Sequence, residues 1–203
     1  PSDIVYKSRV RHRGEPAVRN VNPERDVVIV GAGPTGLTLG IELARRNVPF
    51  LLIERDVIPP STSRAIGLQT RTAEMLRILG IPRSALQPSV QPRALCLEEG
   101  ARTLACISFG ADSPDGVTLT IIDETDTERI LQTRLEALGG AVERGTELLG
   151  YQIDGDGIAA TLRDATGERE VRARYLVGAD GAHSLVRRVA GIPFEGSAYP
   201  EQF

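Results

Sequence analysis

The chain has 203 residues, 41% of them hydrophobic and 25% charged, with a net charge of −3. That length holds one full domain, or one domain and part of another, and the composition is that of an ordinary globular protein. The acidic balance and 4% aromatic content argue against a nucleic-acid partner; no apolar run could span a bilayer and no signal-peptide layout is present, so a cytoplasmic location is expected.

Residues 1–24 carry a basic cluster, Lys7, Arg9, Arg11, His12 and Arg13, with Pro16 and Pro23 breaking any regular pattern. An arm touching phosphate or a partner subunit is one reading. A solvated, flexible leader is the other, and the composition favours it.

From Asp26 the pattern changes. Val27-Val28-Ile29-Val30 reads as a buried parallel strand and runs into Gly31-Ala32-Gly33-Pro34-Thr35-Gly36, after which a helical pattern continues through Arg46. A second apolar strand, Phe50 to Ile53, ends on Glu54. In such a βαβ unit Gly31 permits the tight turn, Gly33 lets backbone approach a diphosphate, and Gly36 allows close helix–strand packing. Pro34 suits the first helical turn, and the free N–H groups there favour an anion. Glu54 follows Gly31 at about the 20-residue spacing expected of a carboxylate that grips a ribose hydroxyl.

Ile58 to Ser63 is a breaker-rich loop, and Thr70 to Leu79 a helix closed by Gly80. Residues 93–108 suggest a hairpin turning near Glu98-Glu99-Gly100-Ala101, then a polar loop from Gly110 to Gly116 and a strand over Val117–Ile122. Cys96 and Cys106 make neither a disulfide framework nor a metal-ligand spacing, and are expected as buried thiols in a reducing compartment. Thr125-Asp126-Thr127-Glu128 matches a capping box, which predicts a helix starting there, with Ile130, Leu131, Leu135 and Leu138 at helical spacing and Gly139-Gly140 as its stop.

Segments near 147–153, 158–163 and 168–174, separated by turn clusters, predict a three-stranded antiparallel meander. Tyr175-Leu176-Val177 reads as a separate return strand ending at Gly178-Ala179-Asp180-Gly181, with a short helix over Ser184–Ala190. A carboxylate and glycines at the C-terminal edge of a strand stand where open α/β sheets bind ligands. Asp180 there can accept hydrogen bonds from ribose or ribityl hydroxyls, and Gly181 allows close approach. His12 sits in the arm, and His183 is read as a helix-start surface residue.

With both glycine motifs in this order, the chain over roughly residues 25–203 resembles the FAD-dependent aromatic hydroxylases, the single-component flavoprotein monooxygenases similar to para-hydroxybenzoate hydroxylase and to the polyketide and phenol hydroxylases. The resemblance implies an α/β, Rossmann-like FAD-binding domain over 25–190, a parallel sheet with an antiparallel meander insertion, to which residues 93–122 add a substrate-domain-like hairpin. Residues 191–203 would begin a substrate-binding domain. It further implies FAD as cofactor, NAD(P)H as co-substrate, and O2 used to hydroxylate an electron-rich aromatic small molecule.

By the same resemblance Gly31, Ala32, Gly33, Pro34, Thr35 and Gly36, with Glu54 and Arg55, bind the diphosphate and adenosine ribose. Arg64, in Ser63-Arg64-Ala65-Ile66-Gly67, approaches the cofactor, and Asp180 and Gly181 form the second FAD motif. Thr127-Glu128-Arg129-Ile130-Leu131 matches the family's helix start. Just before it the family commonly carries a glutamine near the ribityl chain where this sequence has Glu124, which cannot donate an amide hydrogen bond.

The family's third motif, Gly-Asp-Ala, appears nowhere, and the chain stops where the family enters its substrate-binding sheet. A fragment or truncated product is therefore expected, partnered by a second copy or by the missing C-terminal portion. No catalytic residue and no metal ligand is expected within it. Three other readings stay open. A reductase, epoxidase or halogenase of the same fold would share both motifs. A plain NAD-dependent dehydrogenase leaves Gly178–Gly181 unexplained, and a non-catalytic nucleotide-binding remnant gains from the absent third motif.

Overall fold

The computed structural model describes residues 19–20, 25–59, 61, 67–110, 118–155 and 157–197. It divides into two compact units, one made of residues 1–32, 48–57 and 142–203, the other of 33–47 and 58–141. The expected Arg64 loop, most of the Gly110–Gly116 loop, and all of the basic arm except Arg19–Asn20 lie outside the described residues.

The first unit is built on one seven-stranded sheet. Its strands are β1 (Arg19–Asn20), β2 (Arg25–Val30), β3 (Phe50–Glu54), and, numbered in chain order past the second unit, β8 (Val142–Arg144), β9 (Glu147–Asp154), β10 (Gly157–Asp164) and β11 (Gly167–Gly178). The order is β8-β3-β2-β11-β10-β9, with β1 alongside β11. β2 pairs in parallel with β3 and with β11, while β9, β10 and β11 form the antiparallel meander. Val28, Val30, Leu51, Ile53, Leu148, Ala160, Leu162 and Val171 form one buried cluster. Val27, Ile29 and Leu52, which point the other way on a pleated strand, are buried as well. That two-sided burial explains why β2 and β3 read as continuous apolar runs.

The meander is present, but its last strand departs from expectation. Residues 168–174 and 175–177 are not two strands; β11 is one strand of 12 residues. Its first half pairs antiparallel with β10, and its second half pairs parallel with β2, from Ala173 against Arg25 to Gly178 against Val30. No turn residue stands between Arg174 and Tyr175, so nothing interrupts the strand as it passes from one partner to the other. Helix α4 (Leu185–Val189) follows in this unit, capped by Ser184, whose hydroxyl accepts from the Arg187 N–H.

The second unit holds α1 (Pro34–Ala44), β4 (Gly67–Gln69), α2 (Thr70–Ile78), a 3-10 turn at Arg83–Ala85, β5 (Ala94–Glu99), β6 (Arg102–Ser108), β7 (Leu119–Ile121) and α3 (Glu124–Ala137). α1 buries Gly36, Leu37, Gly40 and Ile41, and packs against α3, which buries Thr127, Ile130, Leu131 and Leu135. These are single stripes at helical spacing. β4 pairs with β7, and Arg134 of α3 donates from Nε to the Leu79 carbonyl at the end of α2.

Two expectations in this unit are corrected. The capping box does not form: α3 starts at Glu124 with Asp123 as its N-cap and no side-chain cap bond. The Asp123 carbonyl instead receives the Thr127 N–H at 3.0 Å and its hydroxyl at 3.2 Å. The cysteines are likewise not buried thiols. Cys96 and Cys106 face each other across the β5–β6 hairpin, both exposed, and are joined by a disulfide. The cause is a bulge between Leu97 and Glu98, which shifts the register by one residue and brings the pair opposite.

Candidate functional site

β2 ends at Val30, and the chain turns at Gly31 with φ 102°, a conformation suited to glycine. The Gly31 N–H donates to the Ile53 carbonyl at 2.9 Å, and the Ala32 N–H donates to Glu54 Oε2 at 2.9 Å. The other oxygen of Glu54 accepts the Asp56 N–H at 3.0 Å, and its carbonyl accepts the Thr146 N–H. Glu54 therefore joins the ends of β2, β3 and the turn after β8. An ionised carboxylate offers roughly four acceptor sites, so two such bonds leave capacity for a ligand hydroxyl. Arg55 is exposed and lies 3.7 Å from Asp56.

The second motif stands beside this turn. In-register pairing places Gly178 against Val30, and the Ala179 N–H donates to the Val30 carbonyl at 2.8 Å. A Cβ on Gly31 would sit 2.4 Å from the Ala179 carbonyl oxygen. The two glycine turns are thus brought into backbone contact by two adjacent parallel strands. Asp180 is half-buried beyond them: its Oδ1 accepts the Ser184 hydroxyl at 2.6 Å, and its Oδ2 accepts the N–H groups of Leu185 at 2.7 Å and Val186 at 3.2 Å. Three bonds to the start of α4 use most of that carboxylate's acceptor sites. Gly181 has φ 71°, is exposed, and has open space where a Cβ would project. His183 is exposed.

In the second unit Gly33 is the N-cap of α1, extended at φ −71° and ψ −177°, with Pro34 in the first turn. Gly33 brings no side-chain cap, and no acidic residue lies in the first turn of α1. The first-turn N–H groups of a helix have no intrahelical acceptor, an arrangement that fits an anion. Thr35 is exposed and Gly36 buried. On α3, Glu124 is half-buried at the first position. Glu128 lies one turn on along the same face, with Oε1 3.8 Å from where a Cβ on Gly33 would stand. The sequence marks Glu128 only as part of a helix start; its spacing of four residues from Glu124 is the signal that it shares that face. Arg64 lies outside the described residues.

Residues 24–203 match the family profile described as FAD binding domain. The chain is 35% identical over 178 residues to pentachlorophenol 4-monooxygenase of Sphingobium chlorophenolicum, covering 86% of this chain and 33% of that protein. It is 35% identical over 181 residues to rifampicin monooxygenase of Streptomyces venezuelae, covering 84% and 35%. Among solved structures, the flavin-dependent monooxygenase PieE in complex with FAD and substrate superposes with a TM-score of 0.76 at 30% identity, over 89% of this chain and 34% of that one. The chain spans about a third of the length of the curated relatives it matches.

Proposed function

We propose that the chain, which belongs to the FAD-binding domain family, is the FAD-binding part of a flavin-dependent monooxygenase that hydroxylates an aromatic or polyketide substrate using NAD(P)H and O2. The backbone contact between the two glycine turns carries this reading: it gathers Gly31, Glu54, Asp180 and Gly181 at the C-terminal ends of adjacent parallel strands. The α1 start supports it, because its glycine N-cap and first-turn N–H groups suit a diphosphate. When bound, FAD supplies the redox chemistry, and the protein supplies binding and orientation.

Within the proposal, Gly31, Ala32, Gly33, Pro34, Thr35 and Gly36 receive the diphosphate through backbone N–H groups and the α1 dipole. Glu54 accepts a ribose hydroxyl, with Arg55 beside it. Arg64 approaches the cofactor from its loop, and Glu124 stands toward the ribityl chain. Asp180 holds the start of α4, so that Gly181 presents its backbone at close range. A cytoplasmic setting and a substrate sheet supplied by further sequence, or by a second copy, belong to the same proposal.

Purification with added FAD tests it. The chain should retain the cofactor through gel filtration with a perturbed flavin absorption spectrum; colourless protein that takes up none overturns it. In a longer protein carrying this domain, NAD(P)H oxidation matched by an oxygenated product separates hydroxylation from a reductase activity.

A further inference from the structure

The β5–β6 hairpin plays no part in the proposed cofactor site, and among the described residues it is a sheet of only two strands. Its faces differ. Leu95, Leu97, Ala105 and Ile107 alternate onto one face, where Leu95 is 59%, Leu97 63% and Ile107 57% exposed. Ala94, Cys96, Cys106 and Ser108 lie on the other.

A two-stranded hairpin of this kind is marginally stable in water without further packing. The Phe109 N–H donates to the Arg93 carbonyl at 2.7 Å, which makes residues 93 and 109 a hydrogen-bonded pair. Alternation along the ladder then makes 96 and 106 a non-hydrogen-bonded pair, the position with the closest side chains. Their Cα atoms are 4.1 Å apart.

We infer that Cys96 and Cys106 form a reversible dithiol–disulfide site that sets the order of this hairpin and of its apolar face, reacting with small dithiols and disulfides in solution. Exposure of both residues admits the reagent. In the reductive direction a thiolate of an added dithiol attacks one sulfur, the Cys96–Cys106 bond breaks, and the released Cys leaves as thiolate. The reagent's second thiolate then frees the other Cys. Protein disulfide and reagent dithiol become protein dithiol and cyclic reagent disulfide, with two electrons and two protons transferred. Reduction removes the covalent cross-link between β5 and β6, leaving only the chain through the turn to join them, and lets the hairpin open; oxidation by a small-molecule disulfide closes it again. This inference does not depend on what the glycine turns bind.

The test uses the whole chain, equilibrated with dithiothreitol or with oxidised dithiothreitol, alkylated and weighed, with amide hydrogen exchange read over the hairpin. The expected result is interconversion without loss of the sheet containing β2 and β11. Exchange across residues 94–108 should quicken by roughly tenfold to a hundredfold on reduction, as expected when a loop closure of this size is released. A Cys96→Ser/Cys106→Ser variant should show the fast exchange under both conditions. Three results would overturn the inference: thiols that stay free in oxidised reagent, a bond that resists reduction in folded protein, or hairpin exchange unchanged by reduction. A double-serine variant that keeps the slow exchange of the oxidised chain has the same meaning.

Discussion

At the scale of single residues, two glycines with positive φ make opposite demands. Gly31 has φ 102° and backbone 2.4 Å from any added Cβ, whereas Gly181 has φ 71° and open space around it. Gly31→Ala should therefore cost the backbone strain of about 1–3 kcal/mol plus a collision that only separation of β2 from β11 relieves. Gly181→Ala should cost only the left-handed penalty of roughly 1 kcal/mol. Urea unfolding checks both, and FAD retention should be lost in the first variant whatever stability remains.

Asp164, in the turn from β10 to β11, makes a pH prediction. The Thr166 hydroxyl, first, and then the Thr166 N–H hold its carboxyl below the usual range, with Arg169 adding attraction against a small burial effect. A lowered folded pKa means that the turn's stabilisation is present above the ordinary carboxylate value. It is lost as pH falls through the lowered one. Thr166→Val should move the Asp164 titration upward in carboxyl NMR; an unmoved titration would count against the hydroxyl as its chief cause. The glycines at 31 and 181 were legible in the sequence because turn chemistry is local. The bonds of Asp180 to α4 were not, since they depend on where the helix begins.

At the scale of elements, the strand and helix inventory followed from periodicity, while the misreadings arose where a bulge or a change of strand partner, neither visible in local pattern, decides the outcome. The bulge at Leu97/Glu98 placed the cysteines opposite each other, and no local pattern marks it. β11 read as two strands because its two halves serve different partners, a fact of topology rather than of propensity. That continuity has a consequence at its end. Gly178 closes β11, and a Cβ there would lie 2.7 Å from Val186 Cβ in α4 and 3.1 Å from Asp180 Oδ1. Gly178→Ala should displace α4 and loosen the Asp180 cap, at a cost of about 1–3 kcal/mol typical of overpacking. Hydrogen exchange should quicken in residues 184–190 with β10 and β11 unchanged. Equal loss across the sheet would show that the glycine serves β11 itself.

At the scale of the whole molecule, the chain covers about a third of its relatives' length, yet both glycine turns lie within it. The contacts proposed for the nucleotide half of FAD, from the α1 start to Glu54, lie within these residues, whereas no Gly-Asp-Ala motif of the kind the resemblance sets near the flavin ring occurs among them. Binding energy should follow that division. ADP, which carries the ribose and diphosphate without the flavin, should bind this chain and displace FAD competitively; FMN, which has the ring and one phosphate, should bind far more weakly. Calorimetry supplies the affinities and thermal unfolding the linkage, because a ligand at a hundred times its Kd stabilises the fold by about 2.7 kcal/mol. If FMN and ADP stabilise the chain equally, the ring is held by residues now assigned to the nucleotide. If FAD stabilises it and neither half does, the two glycine turns hold the cofactor only when its ends are joined, as expected for two weak contacts on one ligand.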